Sequence, residues 1–147
     1  MATFSRQTTI DWQGTIMEGS GQVKAGTGAF TLPVTFPKRI AETEQGSTSP
    51  EELIAAAHAT CYAMVVAGML GRNNATTKAT HVTCTVTADK GDAGIKITTS
   101  RLDLTAEGLT GMSAADFEAK AKEAEGKCPV SNALRPAMTI EVNVSVK

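Results

Sequence analysis

The residues of this 147-residue chain best suited to chemistry are its three cysteines, and two of them stand in unusual places. Cys61 lies in the middle of an uncharged stretch, LIAAAHATCYAMVVAGMLG, that runs from Leu53 to Gly71. Cys128 lies in Gly126-Lys127-Cys128-Pro129, where one helical pattern stops and another starts. A free thiol has a pKa near 8.5, so only about 3% is thiolate at pH 7 and a useful nucleophile needs that value lowered. Lowering it by about 3 units takes roughly 4 kcal/mol of preference for the charged form, which an arginine at about 4 Å supplies at an effective dielectric near 20. The middle of a helix gives Cys61 little help from peptide dipoles. A reactive Cys61 therefore needs a cation from elsewhere, and Arg39, just before the uncharged stretch, is the best placed. Cys128 differs: Lys127 precedes it, and it occupies the N-cap slot of a helix opened by Pro129, so local physics alone makes it the more acidic thiol. Cys84 alternates with Val82 and Val86 and reads as core filler.

His58 precedes Cys61 by one helical turn, close enough to raise a cysteine–histidine hydrolase. Such an enzyme needs a third, orienting group and an oxyanion site, and an uncharged buried helix is a poor place for either. A satisfied core histidine is the plainer reading. His58, Cys61 and Cys128 have the right donor types for zinc, yet no Cys-x-x-Cys pair occurs, and neither a metal nor a cofactor is expected.

Positioning these residues falls to a short series of elements. Glycine-punctuated β-favouring runs, Thr8 to Ile16, Gln22 to Val23 and Phe30 to Phe36, predict a meander. Ser49-Pro50-Glu51-Glu52 is a helix start, with Ser49 at N-cap, Pro50 at N1 and Glu52 closing the capping box. The helix that follows is apolar on all sides but too rich in Ala and Gly, and too one-sidedly flanked by basic residues, to read as a membrane span. A helix apolar all round must be covered all round, and one short chain cannot do that, so a second copy is expected. Two strands follow, with Val82, Cys84, Val86 and Ala88 on one face of the first and Ile95 and Ile97, then Leu102 and Leu104, on the second. The change of parity predicts a bulge, and Asp89 to Gly94 predicts the connecting turn. Ser113 caps a helix with Phe117, Ala121 and Ala124 inward. Pro129 to Leu134 is a short helix, and Ile140, Val142, Val144 and Val146 alternate in a last strand. The order implies an α+β fold, a single domain over 1–147, with a mostly antiparallel sheet around a central helix.

Charge narrows the function. Fourteen basic against fifteen acidic side chains give a net charge of -1, which offers no footprint for nucleic acid or an anionic membrane. An odd number of cysteines and no charged-then-apolar leader point to a reducing compartment, the cytoplasm.

At SPEELIAAAHATC and KCPVSNAL the sequence resembles the osmotically inducible protein C and organic hydroperoxide resistance (OsmC/Ohr) family, and more closely its OsmC branch. The early Trp12-Gln13-Gly14 and the Asp89-to-Gly94 turn extend the likeness over nearly the whole chain. The resemblance implies a curved sheet wrapped around the central helix in an intertwined homodimer. It also implies a thiol peroxidase for organic hydroperoxides, with Cys61 attacking the peroxide and passing through a sulfenic acid, Cys128 capturing it as a disulfide, and a dithiol, often a lipoylated protein in this family, reducing that disulfide. Arg39 would match the family's activating arginine and Glu51 the carboxylate that holds it. Two departures stand out: Gly46-Ser47-Thr48-Ser49-Pro50 is longer than the family's usual Gly-Thr-Asn-Pro, which brings Lys38 into contention with Arg39, and Tyr62 replaces a frequent Phe. The rival expectation is a non-enzymatic module that senses redox state or binds a hydrophobic ligand in the same apolar surroundings.

Overall fold

The structure, a computed structural model, describes residues 1–43 and 46–147. These form two units, Met1–Pro50 and Glu51–Lys147.

The first unit is an antiparallel meander of β1 (Thr8–Gln13), β2 (Ser20–Ala25) and β3 (Thr31–Val34), in the order β1-β2-β3. The strands fall where the β-favouring runs predict, but the third stops early. Thr35 instead caps a four-residue helix, α1 (Phe36–Arg39), its hydroxyl accepting from the Lys38 N–H at 3.3 Å with Pro37 in the first turn. Arg39 thus ends a helix. The Val23 side chain is buried in this unit, while Phe4, Ile10, Trp12, Ile16 and Met17 stay exposed.

The second unit is built on α2 (Pro50–Arg72), which starts at the predicted proline with Glu51 and Glu52 in its first turn, where carboxylates favour the helix dipole. Then come β4 (Ala79–Gly91) and β5 (Gly94–Glu107), an antiparallel hairpin. The predicted bulge is present: Thr87 pairs with Thr99 and Ala88 with Ile97, so Thr98 is the extra residue, and its hydroxyl donates to the Thr87 carbonyl at 3.3 Å. The turn is tighter than Asp89 to Gly94, because the ladder continues to Gly91 opposite Gly94, whose φ of 111° only glycine adopts readily. Next, α3 (Ala114–Glu125) is capped by Ser113, which accepts from the Asp116 N–H and donates to the Asp116 carboxylate, and α4 (Pro129–Leu134) follows. The last strand, β6 (Thr139–Val146), pairs with β5 in parallel, giving the order β4-β5-β6. The described chain is therefore α+β with mostly antiparallel pairing, but in two three-stranded sheets.

One face of α2, Tyr62, Val66, Met69 and Leu70, packs with Leu102, Leu104 and Ala106 of β5 and with Phe117, Ala121 and Ala124 of α3 into the core of this unit. The Tyr62 hydroxyl donates to the Ala121 carbonyl at 2.7 Å, tying α2 to α3. By length and composition α2 could cross a membrane, but this face is committed to the protein's own sheet. Its opposite stripe, Ala56, Ala57, Thr60, Met64, Ala67 and Gly71, is exposed.

Candidate active site

Cys128 sits at the elbow between α3 and α4. Its N–H donates to the Glu125 carbonyl at 3.0 Å, and as N-cap of α4 its carbonyl accepts from Asn132 N–H at 3.0 Å. The cap side chain is a sulfur: the Ser131 N–H points at Cys128 Sγ at 3.5 Å. Two further ties close the elbow, Asn132 Nδ2 to the Gly126 carbonyl and an ion pair between Arg135 at the end of α4 and the largely buried Glu125. Cys128 is itself fully buried.

The start of α4 delivers more than one group to Cys61. The Val130 backbone N–H and the Cys128 thiol both lie near enough to the Cys61 thiol to bear on its ionisation. The two cysteines singled out by the sequence, 67 positions apart in the chain, are thus brought near each other where α2 meets the elbow. Burial pushes the Cys61 thiol above its ordinary value; the Val130 N–H works in the other direction, and neighbouring Cys128 adds to the rise. One amide does not offset desolvation here, so an active Cys61 needs further positive charge.

The other predicted site residues are placed differently. Arg39 closes α1 in the first unit. Glu51 lies in the first turn of α2, ten positions ahead of Cys61 on one continuous helix, or about 15 Å along its axis, too far for one hydrogen-bonded network with Cys61. Glu51 and Arg39 each take part in a polar or electrostatic interaction.

His58 is fully buried and faces away from hydrolase chemistry. Its Nδ1 meets Ser100 Oγ at 2.7 Å and its Nε2 meets Ser131 Oγ at 2.7 Å, so both ring nitrogens are bonded to serine hydroxyls. Burial lowers its pKa, with Glu125 opposing and Arg135 reinforcing the shift. The core-histidine reading holds. Cys84 joins the same cluster, its sulfur 3.3 Å from Ser100 Oγ, and burial raises its thiol pKa. Sequence reasoning had no handle on Ser100, 42 positions from His58. Ser131 did leave a signal, since it is the third residue of a helix capped by Cys128, the position whose N–H meets a cap side chain.

The comparisons with known proteins point to one family. Residues 43–143 match the family model described as OsmC-like protein, and the chain belongs to that family. It is 36% identical over 141 residues to Peroxiredoxin OsmC of Escherichia coli (strain K12), covering 95% of this chain and 96% of the relative. It is 30% identical over 128 residues to an Organic hydroperoxide resistance protein-like 2 of Staphylococcus saprophyticus, covering 86% and 87%. The crystal structure of an organic hydroperoxide resistance protein from Elizabethkingia anophelis superposes with a TM-score of 0.76 over 99% of both chains at 22% identity, a likeness of fold.

Proposed function

We propose that this protein reduces organic hydroperoxides through a two-cysteine cycle. The coarser statement, a peroxidase-type redox enzyme, is the role that its family and its relatives' names carry. The observation that supports the finer one is the meeting of Cys61 with Cys128 at the start of α4. In the first step the Cys61 thiolate attacks a peroxide oxygen, the O–O bond breaks, the alcohol leaves with a proton, and Cys61 becomes a sulfenic acid. The Cys128 thiolate then attacks Cys61 Sγ: the S–S bond forms, the S–O bond breaks, and hydroxide leaves as water. A dithiol, a lipoylated protein being the form we favour, reduces the disulfide by two thiol–disulfide exchanges. Apolar Met64 and Val65 beside Cys61 suit a bulky hydroperoxide, each buried methylene being worth about 0.8 kcal/mol.

The working unit in this reading is a homodimer, in the cytoplasm. The exposed stripe of α2 and the exposed apolar side chains of the first unit are what a second copy would cover. Arg39, held by Glu51, would lower the Cys61 pKa, with at least part of that pair supplied by the partner subunit.

The test is continuous consumption of cumene hydroperoxide with a dithiol present. Cys61→Ser abolishes it, and Cys128→Ser permits about one turnover, leaving a sulfenic acid on Cys61 that dimedone traps. A sulfenic acid on Cys128 instead would reverse the roles, and one oxidation without turnover in the unaltered protein would make it a sensor.

A further inference from the structure

The peroxide chemistry above gives no task to the buried chain of side chains Ser100, His58 and Ser131. We propose that His58 is a positioning residue for disulfide closure, holding the first turn of α4, through Ser131, in the place from which Cys128 meets Cys61. The proposal rests on the two-cysteine reading and deepens it.

The geometry is a bracket with a fixed end. Ser100 lies on β5, the central strand, paired with Val86 on β4 and with Ile140 on β6, so its hydroxyl is a rigid reference point. His58 Nδ1 meets that hydroxyl at 2.7 Å, and Nε2, across the ring, meets Ser131 Oγ at 2.7 Å. Ser131 is gripped at two points, because its hydroxyl is on His58 while its backbone N–H is on Cys128 Sγ at 3.5 Å. A rigid imidazole therefore sets how far the start of α4 stands from the sheet. All three residues have 0% exposure, and burying an imidazole and two hydroxyls is costly unless each is hydrogen-bonded, as each is here. An apolar side chain would fill the same space without fixing that distance. His58 and Cys61 also share α2, one turn apart, so the residue that sets the elbow and the sulfur the elbow must reach move together.

Closure is the step that depends on this. The two Cβ atoms must come to about 3.5–4.5 Å for an S–S bond to form as the S–O bond breaks, and a misplacement of about 1 Å can slow a reaction by about a hundredfold. The first step needs Cys61 and the peroxide, and the start of α4 bears on it only through the Val130 N–H and the Cys128 thiol beside Cys61.

The experiment separates the two steps in the full-length protein. One equivalent of cumene hydroperoxide is added to unaltered protein, His58→Leu, His58→Gln and Ser131→Ala, each checked for folding by thermal melt. Peroxide loss reports the first step; dimedone-trapped sulfenic acid and Cys61–Cys128 disulfide, quantified by mass spectrometry, report closure. His58→Leu and Ser131→Ala are expected to slow closure by about tenfold to a hundredfold and to accumulate sulfenic acid, with the first step slowed far less. His58→Gln, which keeps a donor and an acceptor, should recover part of the closure rate. If His58→Leu does not fold, Ser131→Ala carries the test, since it removes one hydroxyl and leaves the N–H to Cys128 in place. Closure at the unaltered rate in folded variants, or both steps slowed by one factor, would overturn the proposal. Failure of the unaltered protein to form the Cys61–Cys128 disulfide would sink the two-cysteine reading itself, and the positioning role with it.

Discussion

The two faces of α2 come from one uncharged segment and are treated differently by the chain that carries them. The inner face places Tyr62 and Val66 against β5 and α3 at 0% exposure and has a partner for each polar atom, down to both nitrogens of His58. The outer face presents small residues and Met64, which is 69% exposed, with no such finish. Hydrophobicity alone does not separate them; what does is size and polarity, large and hydrogen-bonded inside, small and featureless outside. The inner face is specified by its own chain, whereas the outer face is what a second copy would approach in the dimer proposed above. Cys61, half-buried, lies on the flank between them.

The sharpest way to break the comparison is to ask whether the outer face works only when another copy completes it. Arg39→Ala subunits and Cys61→Ser subunits should each be inactive. Mixed under exchange conditions they should regain peroxidase activity, because some heterodimers carry one complete set. Verified heterodimers without activity would mean that each chain supplies its own arginine. A second pair of substitutions compares the faces directly. Leu104→Ala, at a residue 1% exposed, should cost about 2–5 kcal/mol in urea unfolding. Met64→Glu should change the stability of the isolated chain by no more than about 0.5 kcal/mol, yet shift the protein toward monomer in sedimentation.

Smaller effects sharpen the inner face. His58 is neutral when folded because burial depresses its pKa below the ordinary value of about 6.5. The unfolded chain takes up a proton as pH falls past 6.5 while the folded one resists, so this contribution favours the fold fully above that pH and is lost as pH falls toward the depressed value. Glu125 and Arg135 act on the ring in opposite senses, and Cys84 stays a neutral thiol across this range. Urea unfolding between pH 7 and 5 should therefore show a shallower acid loss in His58→Gln than in the unaltered protein. Least affected should be Cys84→Ser, since a hydroxyl can take the sulfur's place beside Ser100. Its turnover should stay within about twofold, a change of roughly 0.4 kcal/mol.

Much of this was legible in the sequence where the signal is local. The proline and acidic residues at 50–52, the cap at Ser113, the short helix from Pro129 and the parity change in β5 each rest on neighbours a few positions apart, and each stands in the structure. Helix α1 was overlooked although Thr35-Phe36-Pro37 carries a cap and a first-turn proline, because four residues leave no periodicity to read. The direction of β6 was not readable either: alternation gives the buried face of a strand and is the same whichever way it runs. For the site, the two cysteines announced themselves by context, whereas Ser100 is one serine among many until the fold places it 2.7 Å from the His58 ring.

The parallel pairing of β6 with β5 bears on how the molecule is made. Hairpin β4–β5 closes through a two-residue turn, but β6 joins Thr99 only through Thr139, forty positions later. Contacts across such separations form late, after the loop-closure entropy has been met. Until β6 docks, α3, which leads into the elbow that carries Cys128, lacks the strand it packs against. In the two-cysteine reading, a chain folding in that order exposes Cys61 before Cys128 is in place, and an oxidant met in that interval would pair the wrong thiols. Refolding under reducing conditions should give more active protein than refolding with oxidant present, the difference arising before the native sheet is complete.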